Sequence, residues 1–145
     1  MAELLHKELT EEVLKAAIDV HRVLGPGLLE SAYELCLFDK LTRNGLSVAR
    51  QVKVPIEFEG RVLDCGYRID LLIENKIIIE VNSADSLAPI HSAQLLTYMR
   101  LASIQVGFLM NFNMRKLMDG VIRLALSNPS PSSALSACSV VNNDH

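Results

Sequence analysis

Residues 67–82 read Tyr67-Arg68-Ile69-Asp70-Leu71-Leu72-Ile73-Glu74-Asn75-Lys76-Ile77-Ile78-Ile79-Glu80-Val81-Asn82. Two apolar runs flank a short Glu74-Asn75 turn, which predicts two adjacent antiparallel strands. The second run, 76–81, is apolar on both faces except at Glu80, the pattern of a central strand covered by helices on both sides. Counted from Asn75 in that turn, Asp70 and Glu80 each lie five residues away, so the pairing predicts that they lie opposite one another on one face. A carboxylate in a buried strand is costly unless it is paired, protonated or bound to a cation. Two convergent carboxylates suit Mg²⁺ or Mn²⁺, which take oxygen ligands; the other reading is a structural pair sharing a proton.

Outward from this stretch, 47–58 reads as an extended segment, Glu59-Gly60 as a hairpin turn, and 62–73 as the returning strand. Upstream, apolar residues at three- and four-residue spacing predict a helix over 9–24, with Thr10 as its N-cap. Gly25-Pro26-Gly27 stops it, and a second helix over 29–44 carries Tyr33, Leu37 and Leu41 on one face. Downstream, a helix over 90–101, a strand over 106–111 and a last helix over 114–126 complete the series. The order predicts an α/β sandwich with a central mixed sheet of about four strands flanked by helices. Residues 127–145 contain six serines, two prolines and no Lys or Arg, the composition of a disordered tail. The expected folded unit is therefore a single domain within 1–126.

Composition narrows the function classes. The chain has 145 residues, 50% hydrophobic, with a formal net charge of −3. Cys36, Cys65 and Cys138 are too scattered for a zinc ribbon, no secretory signal is evident, and a reducing cytoplasm is expected. Cys36 and Cys65 read as small buried side chains. No apolar run approaches the roughly 20 residues of a membrane span. The acidic balance argues against a basic coat for nucleic acid, so an anionic substrate needs a local positive feature or a metal ion.

The run Gly27-Leu28-Leu29-Glu30-Ser31-Ala32-Tyr33 matches a GxxExxY signature. With Gly25-Pro26-Gly27, the strand 67–72, the turn 74–76, the run His91-Ser92-Ala93-Gln94-Leu95-Leu96-Thr97-Tyr98 and Asn111-Phe112-Asn113, the chain over 9–126 resembles the GxxExxY family of the PD-(D/E)XK nuclease superfamily. The resemblance implies a restriction-endonuclease-like fold and a Mg²⁺-dependent phosphodiester hydrolase acting on nucleic acid. It implies that Asp70, Glu80 and the Val81 carbonyl hold Mg²⁺ (or Mn²⁺), that Glu30 approaches the same metal, and that Gln94 completes the rim. Gln94 and Tyr98 lie four apart on one helix face, where either lines the cleft or Tyr98 packs in the core. A homodimer, cutting both strands of a duplex, is implied as the assembly, without a membrane partner.

The chain departs from that pattern at one position. The superfamily places a lysine two residues after the second acid, on the same strand face. Asn82 stands there, and its amide can hydrogen-bond a water or a phosphate oxygen but cannot act as a base. Lys53 and Arg68 are the substitutes the sequence offers, as a lysine on the adjoining strand and a phosphate-holding guanidinium two residues before Asp70. The loss keeps a second function class open: a non-catalytic module that retains the nuclease fold and binds nucleic acid or protein. Taken without the resemblance, Glu30 is a first-turn acid at a helix N-terminus, Tyr33 a core residue with its hydroxyl tied to a neighbour, and Asn111 and Asn113 turn-makers.

Overall fold

The computed structural model describes residues 5–127. Apart from Ser127, the expected disordered tail and Cys138 lie outside the described residues. The chain opens with α1 (Lys7–Leu24) and α2 (Glu30–Arg43), which pack on each other, and continues through β1 (Val48–Lys53), β2 (Ile56–Phe58), β3 (Arg61–Leu63), β4 (Arg68–Ile73) and β5 (Ile77–Asn82). Helix α3 (Pro89–Ala102) crosses to β6 (Val106–Asn111), and a short 3₁₀ turn (Leu117–Gly120) leads into β7 (Val121–Ala125). The sheet order is β1-β4-β5-β6-β7, with β5 and β6 parallel and the other neighbours antiparallel. A parallel pair needs a long crossover, and α3 supplies it. The result is a mixed five-stranded sheet between helical layers, an α/β sandwich one strand larger than expected.

The predicted all-apolar strand is the centre of the fold. Ile77, Ile78 and Ile79 are all fully buried because both faces are covered. Ile77 and Ile79 face α1 and α2, in a core with Val13, Tyr33, Leu37 and Phe108. Ile78 faces α3, in a second core with Leu95, Met99, Leu109 and Leu124. Each such side chain removed from water contributes about 1.5–3 kcal/mol.

Four expectations are corrected. The segment 114–126 is not a helix: Val121, Ile122 and Leu124 alternate between the two cores and pair with β6, because the outer edge of β6 offers a ladder that a lone amphipathic helix would leave open. The long strands 47–58 and 62–73 each break in two. Pro55 carries no N–H for a ladder, and at 64–66 Asp64 accepts from the Gly66 N–H at 2.9 Å while Gly66 takes φ +85°. β2 and β3 form a separate hairpin as a result, and β1 pairs with β4. Thr10 lies inside α1 rather than capping it, since the helix starts a turn earlier. Cys36 and Cys65 are exposed, Cys36 because its neighbour Leu37 takes the inward position on α2.

Candidate active site

The GxxExxY stretch builds one wall of the site. Gly27 adopts φ +100°, a conformation glycine tolerates best, and turns the chain into α2. The fully buried Tyr33 stacks on Phe112 at 4.6 Å between ring centroids, and its hydroxyl donates to the Gly25 carbonyl while accepting the Leu28 N–H at 3.1 Å. Tyrosine thus latches the loop that precedes its own helix. The Leu28 carbonyl accepts the Ser83 hydroxyl at 2.6 Å, and Glu30 Oε2 accepts the Ser83 N–H at 3.3 Å. Asn111, almost fully buried, clamps the same loop from the other side: it accepts from the Ala84 N–H at 3.1 Å and donates to the Ala84 carbonyl at 3.0 Å. Both contacts hold the exit of β5 in place.

The β4–β5 ladder runs Ile73↔Ile77, Leu72↔Ile78, Leu71↔Ile79 and stops there. At the next position the side chains replace the backbone: the Asp70 N–H donates to Glu80 Oε2 at 3.0 Å, and the Val81 N–H donates to Asp70 Oδ2 at 2.8 Å. The strands part where the two acids stand opposed, so each carboxylate satisfies a donor that the interrupted ladder leaves over. Burial, above all, raises both carboxyls. Asp70 is pushed up to about 6, the Val81 N–H opposing the rise and the charges of Glu34 and Glu30 adding to it. Glu80 is pushed up to about 9, with the Asp70 charge as the second cause and Glu34 and Glu30 adding further.

Glu34 was not among the candidates. It lies one turn beyond Glu30 on α2, is 6% exposed, and binds Arg50 Nε at 3.2 Å and the Gln51 amide at 2.9 and 3.1 Å. Gln51 also donates to Asp70 Oδ1 at 3.2 Å, which ties α2 and β1 to the acid pair. A signal for Glu34 was present, since Glu30 and Glu34 fall on the same helical stripe as Leu37 and Leu41. Gln51 carried none, because its role depends on a backbone angle.

Asn82 is partly exposed and its amide approaches the Glu80 carbonyl at 3.5 Å. Lys53 Nζ and Arg68 both turn to Asp64, at 3.9 and 3.5 Å, rather than to Asp70. Gln94 donates to the Tyr98 hydroxyl at 2.7 Å on α3. Tyr98 is buried, which raises its phenol, and the nearby charges of Glu80 and Asp70 add to the rise. Its ring meets that of Tyr67 edge-on at 6.1 Å.

The donor set can be weighed against a metal. Among the described residues no group of three His, Cys, Asp or Glu side chains is gathered tightly enough to hold an ion unaided. Magnesium does not require that, since it keeps several waters and takes one or two carboxylates together with substrate phosphates. Asp70 and Glu80 are both raised, the Asp70 charge adding to the burial of Glu80, and their relief by a dication makes the hard oxygen set here a chemical fit for Mg²⁺ or Mn²⁺. No helix among the described residues is long and apolar enough to cross a membrane. The model of the PD-(D/E)XK nuclease superfamily matches residues 7–124, from the first helix to the last strand. No curated protein and no solved structure matches the chain.

Proposed function

From the membership of this chain in the PD-(D/E)XK nuclease superfamily, we propose that it is a GxxExxY family protein and a Mg²⁺-dependent phosphodiester hydrolase of nucleic acid, with a catalytic step weakened at Asn82. The folded unit is proposed as 1–126, working as a homodimer where both strands of a duplex are cut. The observation that carries the reading is the Asp70–Glu80 pair at the point where the β4–β5 ladder opens. Asp70, Glu80 and the Val81 carbonyl would hold the ion, which lowers the pKa of a bound water and offsets charge on the scissile phosphate. Glu30 orders the loop at Ser83 beside them, and its charge adds to the demand for a cation. Gln94, which donates to the hydroxyl of the buried Tyr98, would supply the rim. Asn82 can orient a water or a phosphate oxygen but takes no proton, a loss of about 10²–10⁴ in rate where lysine acts as the base.

One observation favours the non-catalytic alternative. Lys53 and Arg68 are engaged by Asp64, which leaves neither committed to the position that lysine would serve. Assays of single- and double-stranded DNA and RNA with Mn²⁺ separate the readings, on the native protein, Asn82→Lys and Asp70→Asn. Cleavage that increases in Asn82→Lys and vanishes in Asp70→Asn supports the hydrolase. Native and Asn82→Lys proteins that are both folded, metal-bound and inert refute it and leave the binding module.

A further inference from the structure

Gln51 stands in the middle of β1 with φ +52°, a left-handed conformation unusual for a non-glycine strand residue. The strand changes faces there. Val48 packs into the core of α1 and α2, whereas Val52 packs into the core of α3, although residues four apart in a regular strand share a face. β4 makes the same exchange across the ladder, Leu71 in the first core and Ile69 in the second. The register pairs Arg50 with Leu71 and Val52 with Ile69, so the switch falls on the intervening Gln51 and Asp70. Backbone strain of this kind costs about 1–3 kcal/mol and persists only where surrounding contacts hold it.

The side chain shows what the twist accomplishes. One amide nitrogen with two protons lies between two carboxylates: 2.9 and 3.1 Å from Glu34 and 3.2 Å from Asp70 Oδ1. The other Asp70 oxygen is held by the Val81 N–H, so both oxygens of this acid have a donor and its aim is set. Glu34 is itself anchored by Arg50, whose guanidinium lies 5.6 Å over the Phe38 ring. A connected series of contacts therefore runs from the surface of α2 to the opened ladder.

We infer that Gln51 is the positioning residue of the Asp70–Glu80 site, its left-handed backbone turning the strand and its amide aiming Asp70 at a divalent cation. The inference rests on the metal reading proposed above. Without the amide, Glu34 and Asp70 confront each other as like charges and Asp70 loses one of its two donors. Loss of such a supporting partner typically weakens metal affinity by about 10–100-fold.

The test is calorimetric titration of Mn²⁺ into the metal-free native protein, Gln51→Gly and Gln51→Glu, with the melting temperature of each metal-free protein measured alongside. Glycine accepts φ +52° without strain, so Gln51→Gly keeps the twist while removing the amide together with its two methylenes. The expected result is a Gln51→Gly melting temperature close to the native one with Mn²⁺ affinity weakened about 10–100-fold, and Gln51→Glu at least as weak. Native-like Mn²⁺ affinity in either variant overturns the inference, as does a Gln51→Gly protein that loses affinity and melting temperature together, the signature of a merely structural role. A native protein that binds no Mn²⁺ refutes the metal reading itself, whereas the other failures refute the role of Gln51 alone.

Discussion

Replacing Glu80 by Gln should stabilise the metal-free protein, and the gain should grow with pH. The amide oxygen still accepts the Asp70 N–H, so the substitution removes the ionisation and little else. In the folded protein the Glu80 carboxyl is raised from 4.5 to about 9, chiefly by burial and then by the Asp70 charge. A raised acid contributes its full stability below the unfolded value, where both states hold the proton, and loses it as pH climbs toward the folded value. At pH 7 the folded protein keeps a proton that the unfolded chain has released, and at about 1.4 kcal/mol per pH unit above 4.5 the native protein is destabilised by about 3 kcal/mol. For a domain of this size that corresponds to about 10 °C in Tm. Thermal unfolding followed by circular dichroism, in chelator at pH 4, 5.5, 7 and 8.5, measures it. Native and Glu80→Gln proteins should melt together at pH 4 and diverge through the window from 4.5 to 9, with the Glu80→Gln protein the more stable. A gap that is independent of pH, or a variant less stable at pH 7, refutes the reasoning.

Other substitutions test the frame around the site. Asp70→Asn should abolish the rise in melting temperature that Mg²⁺ produces in the native protein, a shift that follows ligand concentration logarithmically and is read by thermal unfolding with and without Mg²⁺. Tyr33→Phe keeps the stack on Phe112 but frees the Gly25 carbonyl and the Leu28 N–H; denaturant unfolding should show a loss of about 1–2 kcal/mol. Gly107→Ala places a methyl 2.8 Å from Met99 Sδ and 2.9 Å from Leu95 Cδ1, and the resulting overpacking under α3 should cost about 1–3 kcal/mol in the same assay. Gly60→Ala meets nothing within 4 Å, so its cost should reflect only the left-handed angle of φ +78°, about 1–2 kcal/mol.

The three isoleucines of β5 and the turn before them were legible because burial on both faces excludes polar residues, and that constraint is written directly in composition. The same holds for Tyr33, Leu37 and Leu41, whose helical spacing follows from which side of α2 meets the sheet. The segment 114–126 misled because Leu117, Val121 and Leu124 satisfy a helical period, whereas in β7 Val121 and Leu124, three apart, fall on opposite faces of the sheet. What decided between them was the open edge of β6, a feature of another part of the chain. Pro55 and Gly66 break the two long strands, and only the assembled sheet determined that β1 would pair with β4 and leave β2 and β3 as an arm.

At the site, the local residue order specified that Asp70 and Glu80 would stand across from each other, five residues either side of Asn75, since a short turn and a two-residue period leave little freedom in register. It determined also that lysine is missing at Asn82. Folding together of distant segments set the rest: the ladder stops one pair short of the acids, Glu34 approaches them from α2, and Gln51 bridges Glu34 and Asp70. The reason is that these features depend on a positive φ and on contacts between residues 17 and 19 apart in the chain, Gln51 with Glu34 and with Asp70, neither of which local residue patterns encode. Lys53 and Arg68 make the same point in reverse. Strand position made them candidates for the missing cation, and Asp64, in the turn between β3 and β4, took both.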